Sequence, residues 1–358
     1  MEEYKILTIN PGSTSTKIAV YHNEESVFLK NIKHSSENLK DFDKIADQFH
    51  FRKDVILSEL KDAEINIEEF SAVVGRGGLV KPIESGVYEV NDSMKNDLKD
   101  SPLGEHASNL GGLIASDIAE SLPNARAFIA DPVVVDEMED VARITGHPEF
   151  KRHSIFHALN QKAIARAHAK SMDKKYEDLN LIVAHLGGGI SVGAHRKGKV
   201  IDVNNALNGD GPFSPERTGT LPVGQLAEIC FSGKYSHEDV KKMIKGNGGL
   251  VAYLGTNDAY EVEMMVRNGN EEAKLIQDAL SYQVAKEIGA QSVVLKGQVD
   301  GILLTGGMAH NPMVVEYIRE RVGFLANVSA YPGEDEMKAL AVNGLRVLKG
   351  EEKPKVYK

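Results

Sequence analysis

Only one cysteine occurs in this sequence, Cys230, so no intramolecular disulfide can form. Cys230 reads as a buried or half-buried apolar residue and not as a nucleophile. No apolar run approaches the ~20 residues needed to cross a bilayer, so no membrane partner is expected. The opening Met1-Glu-Glu-Tyr-Lys5 carries no basic stretch ahead of a long apolar run. No secretion signal is therefore expected, and the cytoplasm is the expected location. Positive charge is also short, with 42 Lys and Arg against 52 Asp and Glu, a formal net charge of -10. Such a chain repels phosphate backbones over most of its surface, which argues against nucleic acid as a partner. Any anionic substrate must meet a local cluster of cations or backbone N–H groups.

The 358 residues exceed one ordinary core and predict two domains. Tyr4–Asn10, Lys17–Tyr21 and Ser26–Lys30 read as an antiparallel meander of three strands. The same order returns at Asn180–His185, Ile190–His195 and Val200–Val203. Helical spacing covers Leu39–Leu60, His106–Leu122, Ser154–Ser171, His237–Ile244, Tyr260–Arg267, Glu271–Lys286, Asn311–Val322 and Glu334–Leu348. Short buried strands are expected at Ala72–Val74, Ala127–Ala130 and Gly301–Thr305. A repeated meander followed by alternating helices and strands predicts two α/β halves with mixed sheets, and a ligand cleft between them.

Three turns carry the chemistry. Asn10-Pro-Gly-Ser-Thr-Ser-Thr-Lys17 follows a buried strand with hydroxyls, an ammonium and a glycine, Gly12, that lets a ligand approach. Its successive N–H groups would make an anion-binding concavity, with Ser13, Ser15 and Lys17 as further donors. Asn10 could serve Mg²⁺ through its amide oxygen. His185-Leu-Gly-Gly-Gly-Ile-Ser191 repeats the arrangement, and Gly187, Gly188 and Gly189 would let the backbone follow a polyphosphate. It is not a dinucleotide-binding fingerprint, because the turn runs into a strand. Gly306-Gly307, with Asn311 beyond, enters a helix, and a flat adenine could lie against it. Gly193-Ala-His-Arg-Lys-Gly-Lys199 mimics a P-loop, but Val200 replaces the Ser or Thr that would hold Mg²⁺, and a hairpin turn is expected there.

These three turns in this order resemble the superfamily of acetate kinases, sugar kinases, heat-shock chaperones and actin. Arg152 followed by Phe156-His157, and Glu216-Arg217-Thr-Gly219, narrow the resemblance to the acetokinase family. Gly104-Glu-His-Ala-Ser-Asn-Leu110, Asp202-Val-Asn-Asn-Ala206 and Gly209-Asp-Gly-Pro-Phe-Ser-Pro-Glu-Arg217 extend it over nearly the whole chain. The resemblance implies duplicated actin-like (ribonuclease H-like) α/β domains with mixed sheets flanking a nucleotide cleft. Residues 1–152 would form the first, completed by the C-terminal helix 334–358. Residues 153–333 would form the second, nucleotide-binding domain.

The resemblance also implies an activity: reversible phosphoryl transfer from ATP to a carboxylate. Arg76 and Arg217 match the family's active-site arginines, His157 its phosphoryl-steadying histidine and Asp131 its aspartate. Asn10 and Glu336 match the residues associated with Mg²⁺, with Glu334 and Asp335 as alternatives. His106, in Pro102-Leu-Gly-Glu-His106, aligns with a family histidine only after a one-residue shift. Arg76 runs straight into Gly77-Gly78, where acetate kinases carry a longer segment, which suggests room for a longer acyl chain. Butyrate is the expected acceptor; branched-chain or other short carboxylates such as isobutyrate, propionate and acetate are alternatives. A non-kinase ATPase of the superfamily is the distant reading, and it leaves Arg76, His157 and Arg217 without a task. A homodimer or larger assembly is expected.

Overall fold

The computed structural model describes residues 3–358; Met1 and Glu2, the start of the stretch on which the expectation of no secretion signal rests, lie outside the described residues. Two units are present. One comprises the described residues up to Val135 together with Asp335–Lys358, the other Asp136–Glu334.

The first unit is built on seven strands. The meander is β1 (Lys5–Pro11), β2 (Ser15–His22) and β3 (Glu25–Lys33), paired antiparallel. β4 (Phe70–Arg76) lies parallel to β1, followed outward by β6 (Arg126–Ala130), the short β5 (Val87–Glu89) and the terminal Lys355–Val356. Ile6, Leu7 and Ile9 of central β1 are fully buried, as a strand with packed faces requires. Helices Asn109–Glu120 and Glu336–Leu348 pack on β1 and β4. Edge strand β3 is exposed along most of its length.

The second unit repeats the plan. β7 (Asn180–Leu186), β8 (Ile190–Arg196) and β9 (Lys199–Val203) form the meander, with β10 (Gly301–Gly306) parallel to β7 and β11 (Val328–Pro332) parallel to β10. Every residue of β7 and of β10 is buried. The long helix Glu271–Val294 and helix Pro312–Val322 complete its core. The duplicated mixed-sheet α/β plan is thus present, sheet for sheet.

The segment 136–152, placed with the first half by the sequence reading, packs with the second unit. Glu139 N donates to Ile201 O at 3.0 Å, Arg152 holds Asp202 at 2.8 Å, and buried Lys162 pairs with Glu137 at 2.6 Å. The expected helix Leu39–Leu60 is three pieces, Ser36–Leu39, a 3-10 turn Ile45–Gln48 and helix Phe49–Asp62. The P-loop mimic is the hairpin between β8 and β9, with Lys197 and Gly198 both at positive φ. Cys230 is exposed, contrary to expectation, because its helix Val223–Phe231 buries none of its residues. No helix among the described residues is long and apolar enough to cross a membrane.

Candidate active site

In the first unit the loop after β1 is a tight turn closed by Gly12 N donating to Ser15 O at 2.7 Å. Strand alternation puts half-buried Ser15 and exposed Lys17 on one face of β2, while Thr16 and Ile18 face inward. Ser13 is exposed at the tip. Behind the loop lies Arg52, 1% exposed, on helix Phe49–Asp62. Its guanidinium donates to Gly12 O (2.8 Å), Ser13 O (3.0 Å), Ser15 O (3.0 Å) and Thr16 Oγ1 (3.0 Å), and Gln48 Oε1 accepts from its Nε and Nη2. Thr16 Oγ1 also lies 2.8 Å from His34 Nε2. Burial and the Arg52 charge push the His34 pKa down to about 4, which keeps the ring neutral beside the Thr16 hydroxyl. Residue type alone does not single out Arg52 in the sequence. Its signal was position: Arg52, Ile56 and Leu60 form one buried stripe at helical spacing.

Arg76 ends β4, where Gly75 allows helix Asn109–Glu120 to approach; a Cβ there would stand 2.2 Å from Gly111 O. Arg76 Nη1 pairs with Glu336 Oε1 at 2.9 Å and lies 3.4 Å from Asn10 Oδ1. Asn10 Nδ2 donates to Glu336 Oε2 at 2.5 Å. Asn10, Arg76 and Glu336 are thus one cluster. Asp335 caps the helix Glu336–Leu348 by accepting from Lys338 N. Glu334 belongs to the second unit and lies 3.4 Å from His185 Nε2. Asp131 is buried at positive φ (39°), and its Oδ1 accepts from Ser85 Oγ (2.6 Å) and Gly86 N (2.8 Å). His106 is exposed and its Nδ1 lies 2.8 Å from Ser108 Oγ. Space for a Cβ at Gly77 and Gly78 is taken by Pro132 and Asn109, so these glycines answer to close packing rather than leaving open room.

In the second unit His157 and His185 stack with centroids 3.8 Å apart and planes 12° from parallel. A hydrogen-bonded chain stands behind His157. Tyr176 Oη lies 2.6 Å from His195 Nδ1, His195 Nε2 2.9 Å from Gln161 Oε1, Gln161 Nε2 2.8 Å from Ser191 Oγ, and Ser191 Oγ 2.8 Å from His157 Nδ1. Burial first, then the Lys162 and Arg166 charges, hold His195 well below its ordinary pKa and therefore neutral. Every group is satisfied when Tyr176 donates to His195, His195 to Gln161, Gln161 to Ser191 and Ser191 to His157 Nδ1. In that pattern His157 Nδ1 accepts and the ring proton sits on Nε2. His185 Nδ1 is held by Asn160 Oδ1 at 2.8 Å.

The glycine turn has a different logic from the one its composition suggests. A Cβ at Gly187 would meet His185 Nε2 at 2.7 Å, and one at Gly189 would meet Arg217 Nη1 at 1.7 Å; only Gly188 faces open space. Two of the three glycines therefore make room for the protein's own side chains. Arg217 donates to Ala206 O at 2.8 Å, and its buried Nε has no hydrogen-bond partner. Burial lowers its pKa, yet a guanidinium remains charged. The loop that carries it is fastened to the turn by Ser214 Oγ donating to Gly188 O at 2.7 Å. Gly306, at φ 89°, packs against the Leu186 backbone, and Gly307 beside it is open. The Asn311 amide is engaged structurally, capping helix Pro312–Val322 and donating to Gln277 Oε1 at 2.9 Å.

Among the described residues no group of three or more His, Cys, Asp or Glu could hold a metal ion. The Glu336 carboxylate is engaged by the Asn10 amide nitrogen and by Arg76, and the Asn10 amide oxygen faces Arg76 at 3.4 Å, so both oxygens would have to exchange these contacts to serve Mg²⁺, an ion that takes few protein ligands and completes its shell with phosphate and water.

The fold is that of acetate and propionate kinases. An acetate kinase from Porphyromonas gingivalis superposes with a TM-score of 0.80 at 20% identity, covering 96% of this chain and 100% of that one. A propionate kinase from Francisella tularensis subsp. tularensis gives 0.76 at 20% identity, covering 95% and 98%. Residues 149–344 match the acetokinase family. Butyrate kinase 2 of Clostridium acetobutylicum is 57% identical over 356 residues, 99% of this chain and 100% of that protein. The chain belongs to the acetokinase family, and its enzyme class is ATP-dependent carboxylate kinase.

Proposed function

We propose that the chain catalyses the reversible reaction of ATP and butyrate to ADP and butyryl phosphate by direct in-line phosphoryl transfer. The observation that carries the acceptor is the 57% identity, over essentially the full length of both chains, with a protein named as a butyrate kinase. The chemistry asks little covalent work of the protein. A carboxylate is already ionised at neutral pH, so no base is needed, and the transition state must be positioned and its spread negative charge met by cations.

Arg217 and Arg76 supply forked donors for carboxylate and phosphoryl oxygens. Arg217 is pinned by Ala206 O and Gly189, and its unpartnered Nε keeps one donor unused by the protein. His157, with its Nδ1 held by Ser191, presents Nε2–H to the moving phosphoryl group. Asp131 is a supporting carboxylate held by Ser85 and Gly86. The loop Asn10–Lys17, with Gly12, Ser13, Ser15 and Lys17, and the open turn positions Gly188 and Gly307 meet the nucleotide, while His185, Gly187, Gly189, Gly306 and Asn311 shape the turns that present them. Asn10 and Glu336 would hold Mg²⁺, which would supply charge neutralisation at the phosphate oxygens. The protein works in the cytoplasm as a homodimer or larger assembly.

The test is acyl-phosphate trapping by hydroxylamine with ATP, Mg²⁺ and a panel of acetate, propionate, butyrate and isobutyrate. Butyrate should give the highest kcat/KM. Neighbouring acids should remain substrates, because one methylene is worth only ~1–3 kcal/mol. Acetate preferred over butyrate overturns the acceptor, and no acyl phosphate with any acid overturns the reaction.

A further inference from the structure

We propose that Arg52 is a positioning residue for phosphate binding: it ties down the carbonyl side of the loop after β1 and thereby leaves the donor side for an anion. This inference rests on the reading of that loop as a nucleotide-phosphate site. Four consecutive carbonyls, those of residues 12–15, are all engaged inward. Arg52 binds those of Gly12, Ser13 and Ser15, and the His34 N–H binds that of Thr14 at 2.8 Å. The N–H groups of Ser13 and Thr14 donate to no acceptor among the described residues. A turn with its oxygens bound behind it and its donors unbound is a cradle for anions and repels none of them with exposed carbonyl dipoles.

The charge balance points the same way. Arg52 is 1% exposed and no carboxylate lies within ion-pair distance of it among the described residues; its acceptors are carbonyls, a hydroxyl and the Gln48 amide. A buried cation without a counter-ion is costly, and an anion seated on the loop relieves that cost. Gln48 and His34 hold the arrangement. The Gln48 oxygen takes two guanidinium donors, and the Thr16 hydroxyl sits between Arg52 Nη1 at 3.0 Å and His34 Nε2 at 2.8 Å, so its position is fixed from both sides. Lysine cannot replace this geometry, because one ammonium cannot span acceptors on five residues in a fixed plane.

The test uses the full chain with Arg52→Lys, Arg52→Met and Gln48→Leu. It reads ATP affinity by calorimetry, separate KM values for ATP and carboxylate, kcat, and the melting temperature. Arg52→Lys keeps the charge and should still weaken ATP binding about tenfold or more, the loss expected for one or two charge-assisted hydrogen bonds. The KM for the carboxylate should stay within about twofold. Gln48→Leu spares the arginine and should weaken ATP by about threefold, which keeps the inference testable if an Arg52 variant fails to fold. ATP affinity unchanged in folded Arg52→Lys overturns the inference. So does a lower kcat with both KM values unchanged, the mark of a merely structural role. A wild-type protein that binds ATP but phosphorylates no carboxylate overturns the proposed function, while the binding comparison still decides the role of Arg52.

Discussion

Replacing Gly189 by alanine tests whether this glycine exists for Arg217. An ideal Cβ at Gly189 would stand 1.7 Å from Arg217 Nη1 and 2.7 Å from Cζ. An ordinary contact begins near 3.4 Å, so the guanidinium must retreat by about 1.7 Å. The Nη1 hydrogen bond to Ala206 O, now 2.8 Å, cannot survive that shift. Gly189 is not at positive φ, so its backbone accepts alanine, and the loss of stability should stay below about 2 kcal/mol. If Arg217 meets the transferring phosphoryl as proposed, turnover should fall much further, by roughly 100- to 1000-fold, because a misplaced donor forfeits its transition-state stabilisation. Gly188→Ala is the control: nothing lies within 4 Å of its added methyl, so Arg217 stays seated. If phosphates pass over the turn, Gly188→Ala should raise the KM for ATP with a smaller change in kcat. The assay is hydroxamate trapping at saturating ATP and carboxylate, with melting curves for both variants. A folded Gly189→Ala protein within about threefold of wild-type kcat would refute the reasoning.

Gln161→Leu should leave His195 Nε2 unbonded and cost the Ser191 hydroxyl one of its two partners, lowering stability by ~1–3 kcal/mol in chemical denaturation and kcat by about tenfold as the hydroxyl that orients His157 loosens. Stability should fall on acidification. The folded pKa of His34 is about 4 and its unfolded value 6.5, so the unfolded chain takes the proton first. The stabilisation is complete above pH 6.5 and is lost as pH drops toward 4, by roughly 2–3 kcal/mol for His34. His168 and His195 shift in the same direction, and His34→Leu should flatten the pH dependence of denaturation by only its own share. Exposed Cys230 should react with one equivalent of Ellman's reagent without denaturant; a thiol that reacts only after unfolding would contradict its place on the surface.

The duplicated meanders were legible because two apolar strands end in turns rich in small and hydroxyl residues, a pattern that survives without tertiary knowledge. Edge strand β11 was not, since Val328–Pro332 is short, half exposed and ends in proline. The cluster of Asn10, Arg76 and Glu336 joins residues far apart in sequence, and only the resemblance put them in one list. Gly187 and Gly189 were found but for a different reason, because composition cannot tell a glycine that admits a ligand from one that seats a side chain. Arg52 was missed because an arginine on an amphipathic helix reads as a surface charge until its register with Ile56 and Leu60 is counted. Cys230 was misjudged because apolar neighbours on a helix imply a core that the helix Val223–Phe231 does not have.

The seating of Arg217 has an entropic consequence. A free arginine samples many rotamers, and freezing one on substrate arrival costs up to about 2 kcal/mol at each binding event. Here the glycine beneath and the Ala206 carbonyl beside the guanidinium confine it during folding. The disorder is surrendered once, when the chain folds, and not again at every turnover.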